Sequence, residues 1–207
     1  MEECETQIKV LFVDDDEDDY FITKELLNAS SLCKFELEWR PDYATGLEAM
    51  IANSHDIYLI DYNLRGKNGL ELIREARARG CSGPMIVLTG INNREIDLEA
   101  MQAGAVDFLV KGELNSRILE RSIRYAIRWS QVEESLRKTA AGLSKAQMIA
   151  HLGNWEWNVR SNEMSWSDEV YRIFGLYPQA FEASYEAFLR IVHPDDRALV
   201  NRKVNES

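Results

Sequence analysis

Five residues carry groups that could act together on a cation and an oxyanion. They are Asp14 and Asp15 in VLFVDDD, Asp61 in LIDYN, Thr89 in IVLTG and Lys111 in DFLVK. Three carboxylates that meet repel one another and raise each other's pKa values unless a cation sits between them. A hard divalent ion with oxygen ligands answers that need. Mg2+ is the expected one, because it keeps waters and bridges to phosphoryl oxygen. Singly, none of the five is specific: an Asp at a strand end is usually a turn former or a helix cap. Their value lies in arriving together, in this order.

What must position them is a set of alternating elements. IKVLFV (8–13), FELEWR (35–40), DIYLID (56–61), MIVLTG (85–90) and DFLV (107–110) read as five strands. EDDYFITKELLNA, DYATGLEAMIAN, NGLELIREARARG and NREIDLEAMQAGA lie between them, each with apolar residues at helical spacing. The third and fourth strands are almost uniformly apolar, as expected where both faces of a parallel sheet are covered. Strict alternation predicts an α/β fold with a doubly wound five-stranded parallel sheet and right-handed crossovers. In such a sheet, ligands gather at the carboxyl ends of the strands near the topological switch point. All five residues fall there.

The first strand runs into six consecutive carboxylates, Asp14 to Asp19. Asp14 and Asp15 are assigned to the cation. Asp16 is expected to cap the first helix, with Glu17, Asp18 and Asp19 in its first turn, where the helix dipole favours negative charge. Function is expected from the first two alone.

Residues 113–150 show no strand signal, no proline and one glycine, Gly142. Leu119, Ile123, Ala126 and Ile127 form a stripe that would pack back onto the sheet. Tyr125, Trp129, Val132, Leu136, Thr139, Leu143, Ala146 and Ala150 alternate steps of four and three, a heptad seam that two parallel helices bury by pairing. The expectation is a homodimer, set against a single long helix lying on its own domain. After His151 the texture changes. WEWNV and EMSW read as strands around a polar turn at 160–162, SDEVYRIFG as a helix with Ser167 as N-cap and Gly175 just past its end. SYEAFLRIV and PDDRALVNRKV read as two more helices, and VHPDDR as a helix cap with Asp195 near the N-terminus. The expected division is 1–128, 129–150 and 151–207, the last an α+β domain cut short.

The first 112 residues resemble the receiver domain of two-component response regulators. VLFVDDD matches the acidic pair, LIDYNLRGKNGLELI the phosphoacceptor segment, IVLTG the hydroxyl strand and DFLVK the lysine strand. The resemblance implies a flavodoxin-like sheet in which Asp61 is the nucleophile for an aspartyl phosphate, with a histidine kinase as donor. Asp15, Asp61 and the Asn63 backbone carbonyl would ligate Mg2+ directly, and Asp14 through water. Mg2+ and Lys111 would offset the phosphoryl charge while Thr89 donates a hydrogen bond. Movement of Thr89 would open space for Phe108, making the two a switch. The family usually has proline after the lysine, where this chain has Gly112, so a trans junction is expected there. HLGNWEWNV, WSDEVYRIFGL and VHPDDR resemble the start of a PAS sensor domain, in which Trp155, Trp157 and Trp166 are expected mainly as core. The signal would pass along a dimeric helix to the PAS domain and an effector outside the chain. The alternatives are a Mg2+-dependent aspartyl-phosphate hydrolase of the haloacid-dehalogenase type, for which Asp14 and Asp16 have the spacing, and a constitutive docking pseudo-receiver.

Bulk properties fit the same picture. A net charge of −11 and a pI near 4.8 argue against nucleic acid as a general partner. Three scattered cysteines suggest reduced thiols, and no apolar run approaches a membrane span, so a cytoplasmic location is expected.

Overall fold

The computed structural model describes residues 7–90, 94–158, 160, 161 and 163–205. Cys4, Asn93, Val159 and Asn162 lie outside them. The chain divides into two compact units, up to Glu134 and from Ser135 onward.

The first unit alternates strand and helix: β1 (Ile8–Val13), α1 (Glu17–Asn28), β2 (Phe35–Arg40), α2 (Tyr43–Ile51) and β3 (Ile57–Asp61). A two-stranded hairpin follows, β4 (Asn63–Leu64) and β5 (Lys67–Asn68), and then α3 (Gly69–Ala78), β6 (Met85–Thr89), α4 (Arg94–Ala103) and β7 (Asp107–Val110). The sheet order is β2-β1-β3-β6-β7, and every neighbouring pair is parallel. The order reverses between β1 and β3, so the switch point lies where Val13 and Asp61 end their strands.

Strand periodicity of two explains the two cores. Leu11, Val13, Tyr58, Ile60, Met85 and Val87 face one side, packed with α2, α3 and α4 residues such as Met50, Leu72, Ile73 and Ala100. Val10, Phe12, Ile57, Leu59, Ile86 and Leu88 face the other, packed with Leu27 of α1 and with Leu119, Ile123 and Ala126. Both faces of β3 and β6 are buried along their whole length, which is why their sequences do not alternate.

Caps set the helix starts. The Asp16 side chain accepts the Asp18 N–H at 2.9 Å, Asp42 accepts those of Ala44 and Thr45 at 3.0 Å, and Asn68 accepts that of Leu70 at 2.8 Å. The β4–β5 hairpin was not legible in the sequence. Its turn places Arg65 at φ 40° and Gly66 at φ 85°, the pair of positive values that a tight two-residue hairpin requires.

After β7 a short 3-10 turn (Lys111–Glu113) leads into α5 (Ser116–Ala150), a helix of 35 residues. No peptide bond among the described residues is cis, the Lys111–Gly112 bond included. Leu119, Ile123 and Ala126 are buried as the first stripe predicted. The heptad seam is left open: Tyr125, Trp129, Val132, Leu136 and Leu143 are 59–69% exposed. Among the described residues, no helix is long and apolar enough to cross a membrane.

The second unit contains the antiparallel pair β8 (Trp155–Asn158) and β9 (Glu163–Trp166), then α6 (Asp168–Ile173), α7 (Tyr185–Ile191) and α8 (Arg197–Asn205). Gly175 follows α6 at φ 73°, as its C′ position demands. Ser167 holds the N-cap position of α6, but its hydroxyl accepts the Asn154 N–H at 3.1 Å instead of a helix N–H. Trp157 stacks on Tyr185 with centroids 5.2 Å apart, and Trp166 is ringed by Tyr171, Phe174, Phe181 and Phe188. Trp155, Trp157 and Trp166 line a cavity of about 240 Å³, with Trp155 mostly exposed, so they form its wall more than a closed core.

Candidate functional site

Asp14, Asp15, Asp61, Thr89 and Lys111 sit at the carboxyl ends of strands because β1, β3, β6 and β7 are adjacent, parallel and nearly in register. Asp61 pairs with Leu88, and Thr89 with Val110, which sets Asp61, Thr89 and Lys111 on successive strand ends. Asp14 and Asp15 follow β1. One oxygen from each of Asp14, Asp15 and Asp61 lies within 4.8 Å of the others, a separation that one metal ion can bridge. Asp14, Asp61 and Thr89 are 1%, 5% and 2% exposed, so water does little to screen the charge gathered there.

Lys111 supplies part of the missing countercharge. Its Nζ lies 2.7 Å from Asp14 Oδ2, 2.6 Å from Asp19 Oδ2 and 2.5 Å from Asp61 Oδ1. Burial works to lower the lysine's pKa, but the hydrogen bonds to Asp14, Asp19 and Asp61 outweigh it, so the ammonium stays charged. The carboxylates are only partly compensated. Burial pushes the Asp14 carboxyl up to about 6, against the pull of Lys111 and of the Asp16 N–H, which donates to Asp14 Oδ1 at 2.9 Å. Asp61 is raised for the same first reason, again opposed by Lys111. A buried acidic group with unanswered charge is what a divalent cation with oxygen ligands would satisfy.

The surrounding loops are pinned. The Asn63 N–H donates to Asp61 Oδ2 at 2.6 Å, so both oxygens of Asp61 are engaged, one by Lys111 and one by the hairpin strand β4. The Trp39 indole donates to the Asp14 carbonyl at 2.8 Å and stacks on Tyr20 at 4.9 Å, which fixes the loop after β1 from the β2 side. Phe108, on β7, is half-buried and packs against the core face that carries Tyr58 and Val87.

Two participants escaped the sequence reading. Asp19 was placed in the first turn of α1 for the helix dipole alone, yet it is a direct partner of Lys111. Asp15 precedes the Asp16 cap and lies outside the helix, so no local spacing marks Asp19 as a partner of Lys111. Arg65 is the other: its Nε reaches Asp15 Oδ2 at 3.2 Å and a terminal nitrogen reaches the Asp15 carbonyl at 3.3 Å. That contact depends on the hairpin turn and had no local sequence signal.

Comparison with known proteins agrees with this geometry. Residues 10–123, more than half of the chain, match the family model for the response regulator receiver domain, and residues 163–207 match that for a PAS fold. The chain is 41% identical over 71 residues to the two-component response regulator PhoP of Pseudomonas aeruginosa, a match covering 34% of this chain and 32% of that protein. It is 24% identical over 169 residues to the transcriptional regulatory protein RprY of Bacteroides fragilis, covering 82% of this chain and 66% of the relative. The chain thus spans between a third and two thirds of these curated relatives. Among solved structures, a CheY-like response regulator receiver domain protein from Methanospirillum hungatei superposes with a TM-score of 0.54 at 25% identity, over 62% of this chain and 99% of that one. Sheet order, site and family match converge: the chain belongs to the response regulator receiver domain family.

Proposed function

We propose that this chain is a phosphorylation-controlled signalling module in which Asp61 accepts a phosphoryl group from a histidine kinase or phosphotransfer protein. The observation that carries the proposal is the meeting of Asp14, Asp15, Asp61 and Lys111 in one buried pocket of a receiver-family chain. In the transfer, the N–P bond of the donor phosphohistidine breaks as an O–P bond forms to one Asp61 oxygen. The N–P electron pair returns to the imidazole, which takes up a proton. Lys111, already on Asp61, offsets the charge of the incoming group, and the Thr89 hydroxyl donates to it from the next strand end. Asn63 holds the other Asp61 oxygen through its N–H. Asp15, Asp61 and the Asn63 carbonyl would hold Mg2+ directly, and Asp14 through a water. When bound, the ion supplies the positive charge that lets an anionic donor approach a carboxylate.

Thr89 and Phe108 are assigned as the switch pair that reports phosphorylation to α4, β7 and α5. The seam Tyr125, Trp129, Val132, Leu136 and Leu143 then carries the change through a homodimer to the PAS domain and an effector. On this proposal residues 1–128 are the receiver, 129–150 the signal helix and 151–207 the PAS portion, working in the cytoplasm as a phosphoacceptor rather than as an enzyme on other substrates.

A hydrolase of the haloacid-dehalogenase type would need the Asp16 carboxylate beside Asp14. Asp16 instead caps α1, which disfavours that alternative. The test is Mg2+-dependent modification by a small phosphodonor, followed by mass. Wild type is expected to gain one phosphoryl group and Asp61→Asn none; stoichiometric uptake by D61N, or turnover of a phosphomonoester by it, overturns the assignment.

A further inference from the structure

A lysine ammonium has three N–H donors and no acceptor. In this pocket Asp14, Asp19 and Asp61 stand within 2.7 Å of the Lys111 nitrogen and can take all three. Any phosphoryl oxygen arriving on Asp61 must therefore take over a donor already in use. The three present holders are not equivalent. The Asp14 side chain is 1% exposed and has no access to water in exchange, whereas the Asp19 side chain is 28% exposed and can be hydrated when released. Of the two carboxylates that stay ionised, Asp19 costs less to give up than Asp14, because a charge left unpaired in water is far cheaper than one left unpaired in the interior.

Charge balance points the same way. Asp14, Asp15, Asp19 and Asp61 face Lys111 and Arg65, which leaves an excess of two negative charges, the amount one divalent cation cancels. Without Asp19 the excess is one. The pocket would then attract a divalent cation less and oppose an added phosphoryl group less.

Building on the phosphoacceptor reading above, we propose that Asp19 is a positioning residue. It retains the Lys111 ammonium and strengthens cation binding in the unphosphorylated pocket, then yields the lysine to the phosphoryl group, so that it sets the balance between the two states. A helix-dipole role alone would leave that balance untouched.

The experiment compares wild type, Asp19→Asn and Asp19→Glu for Mg2+ binding by calorimetry, and for beryllofluoride binding, a phosphoryl mimic, at saturating Mg2+. For D19N the Mg2+ dissociation constant is expected to rise about fivefold, the effect of one charge a short distance from the ion in a partly hydrated site. Beryllofluoride is expected to bind D19N about threefold more tightly, since one of the three carboxylates that hold Lys111 is gone. D19E, which keeps the charge, is expected to return both values toward wild type. Opposed shifts support the assignment. Equal affinities, or a loss of both, overturn it, and Asp19→Ser makes the same comparison if D19N does not fold. A wild type that binds neither Mg2+ nor beryllofluoride overturns the phosphoacceptor reading instead, and this assignment with it.

Discussion

Asp14 bears most directly on how the site behaves in solution. Its carboxyl is pushed up to about 6 from an ordinary 3.8, first by burial, so the folded protein holds that proton more tightly than the unfolded chain does. The stability it contributes is complete below about pH 4 and is lost as pH rises through about 6, with Asp61 acting in the same sense. Metal-free protein is therefore expected to melt at a higher temperature at pH 5 than at pH 7.5. Asp14→Asn is expected to reduce that slope and leave the part that Asp61 contributes; a melting series in a chelator, with and without the substitution, measures it. Asp42 and Glu169 have lowered pKa values, so their contributions fade only at more acidic pH and leave this window clear. Asp14, Asp15, Asp61, Thr89 and Lys111 were legible in the sequence because strand ends fix their place without any loop geometry. Asp19 and Arg65 were not, because their partners lie 92 and 50 residues away and depend on how α1 and the hairpin meet the pocket.

At the scale of elements, the junction from β3 through the hairpin to α3 has no slack. A Cβ on Gly69, the first residue of α3, would lie 2.0 Å from the Asp61 backbone oxygen, and the Gly69 N–H donates to the Tyr62 carbonyl at 2.8 Å. Gly69→Ala is expected to cost roughly 2–4 kcal/mol and to reduce phosphoryl uptake, because relief of the clash must shift the strand end that carries Asp61. Denaturant melts beside phosphodonor labelling check both. Five strands and the intervening helices were recoverable from periodicity alone, and the Asp16 cap from its place before an acidic first turn. The β4–β5 hairpin was not, since its strands are two residues long, too short to show alternation, and one of its positive-φ residues is an arginine.

For the whole molecule, α5 presents two apolar stripes with different surroundings. Its first stripe is buried on the sheet, and the second leaves Tyr125, Trp129, Val132, Leu136 and Leu143 to solvent. Five large apolar side chains along one helix face favour pairing with a second copy. Leu136→Glu is expected to convert a dimer to a monomer in light-scattering chromatography while leaving phosphoryl uptake by Asp61 intact; an unchanged mass would remove the seam from the interface. The seam's spacing was plain in the sequence. Its partner could not be, because a heptad stripe has the same periodicity whether it meets another helix or lies against its own domain.

The indole of Trp39 donates to the carbonyl of Asp14 at 2.8 Å, which places a fluorophore on the backbone of the loop that carries the acidic pair. If the pocket takes Mg2+ as proposed, this indole is placed to report the binding. Titration with Mg2+ is expected to change tryptophan emission in wild type, and Trp39→Phe to abolish the change while the other four tryptophans supply a constant background. Occupancy of the pocket can then be followed in real time, with no label and in the unmodified chain.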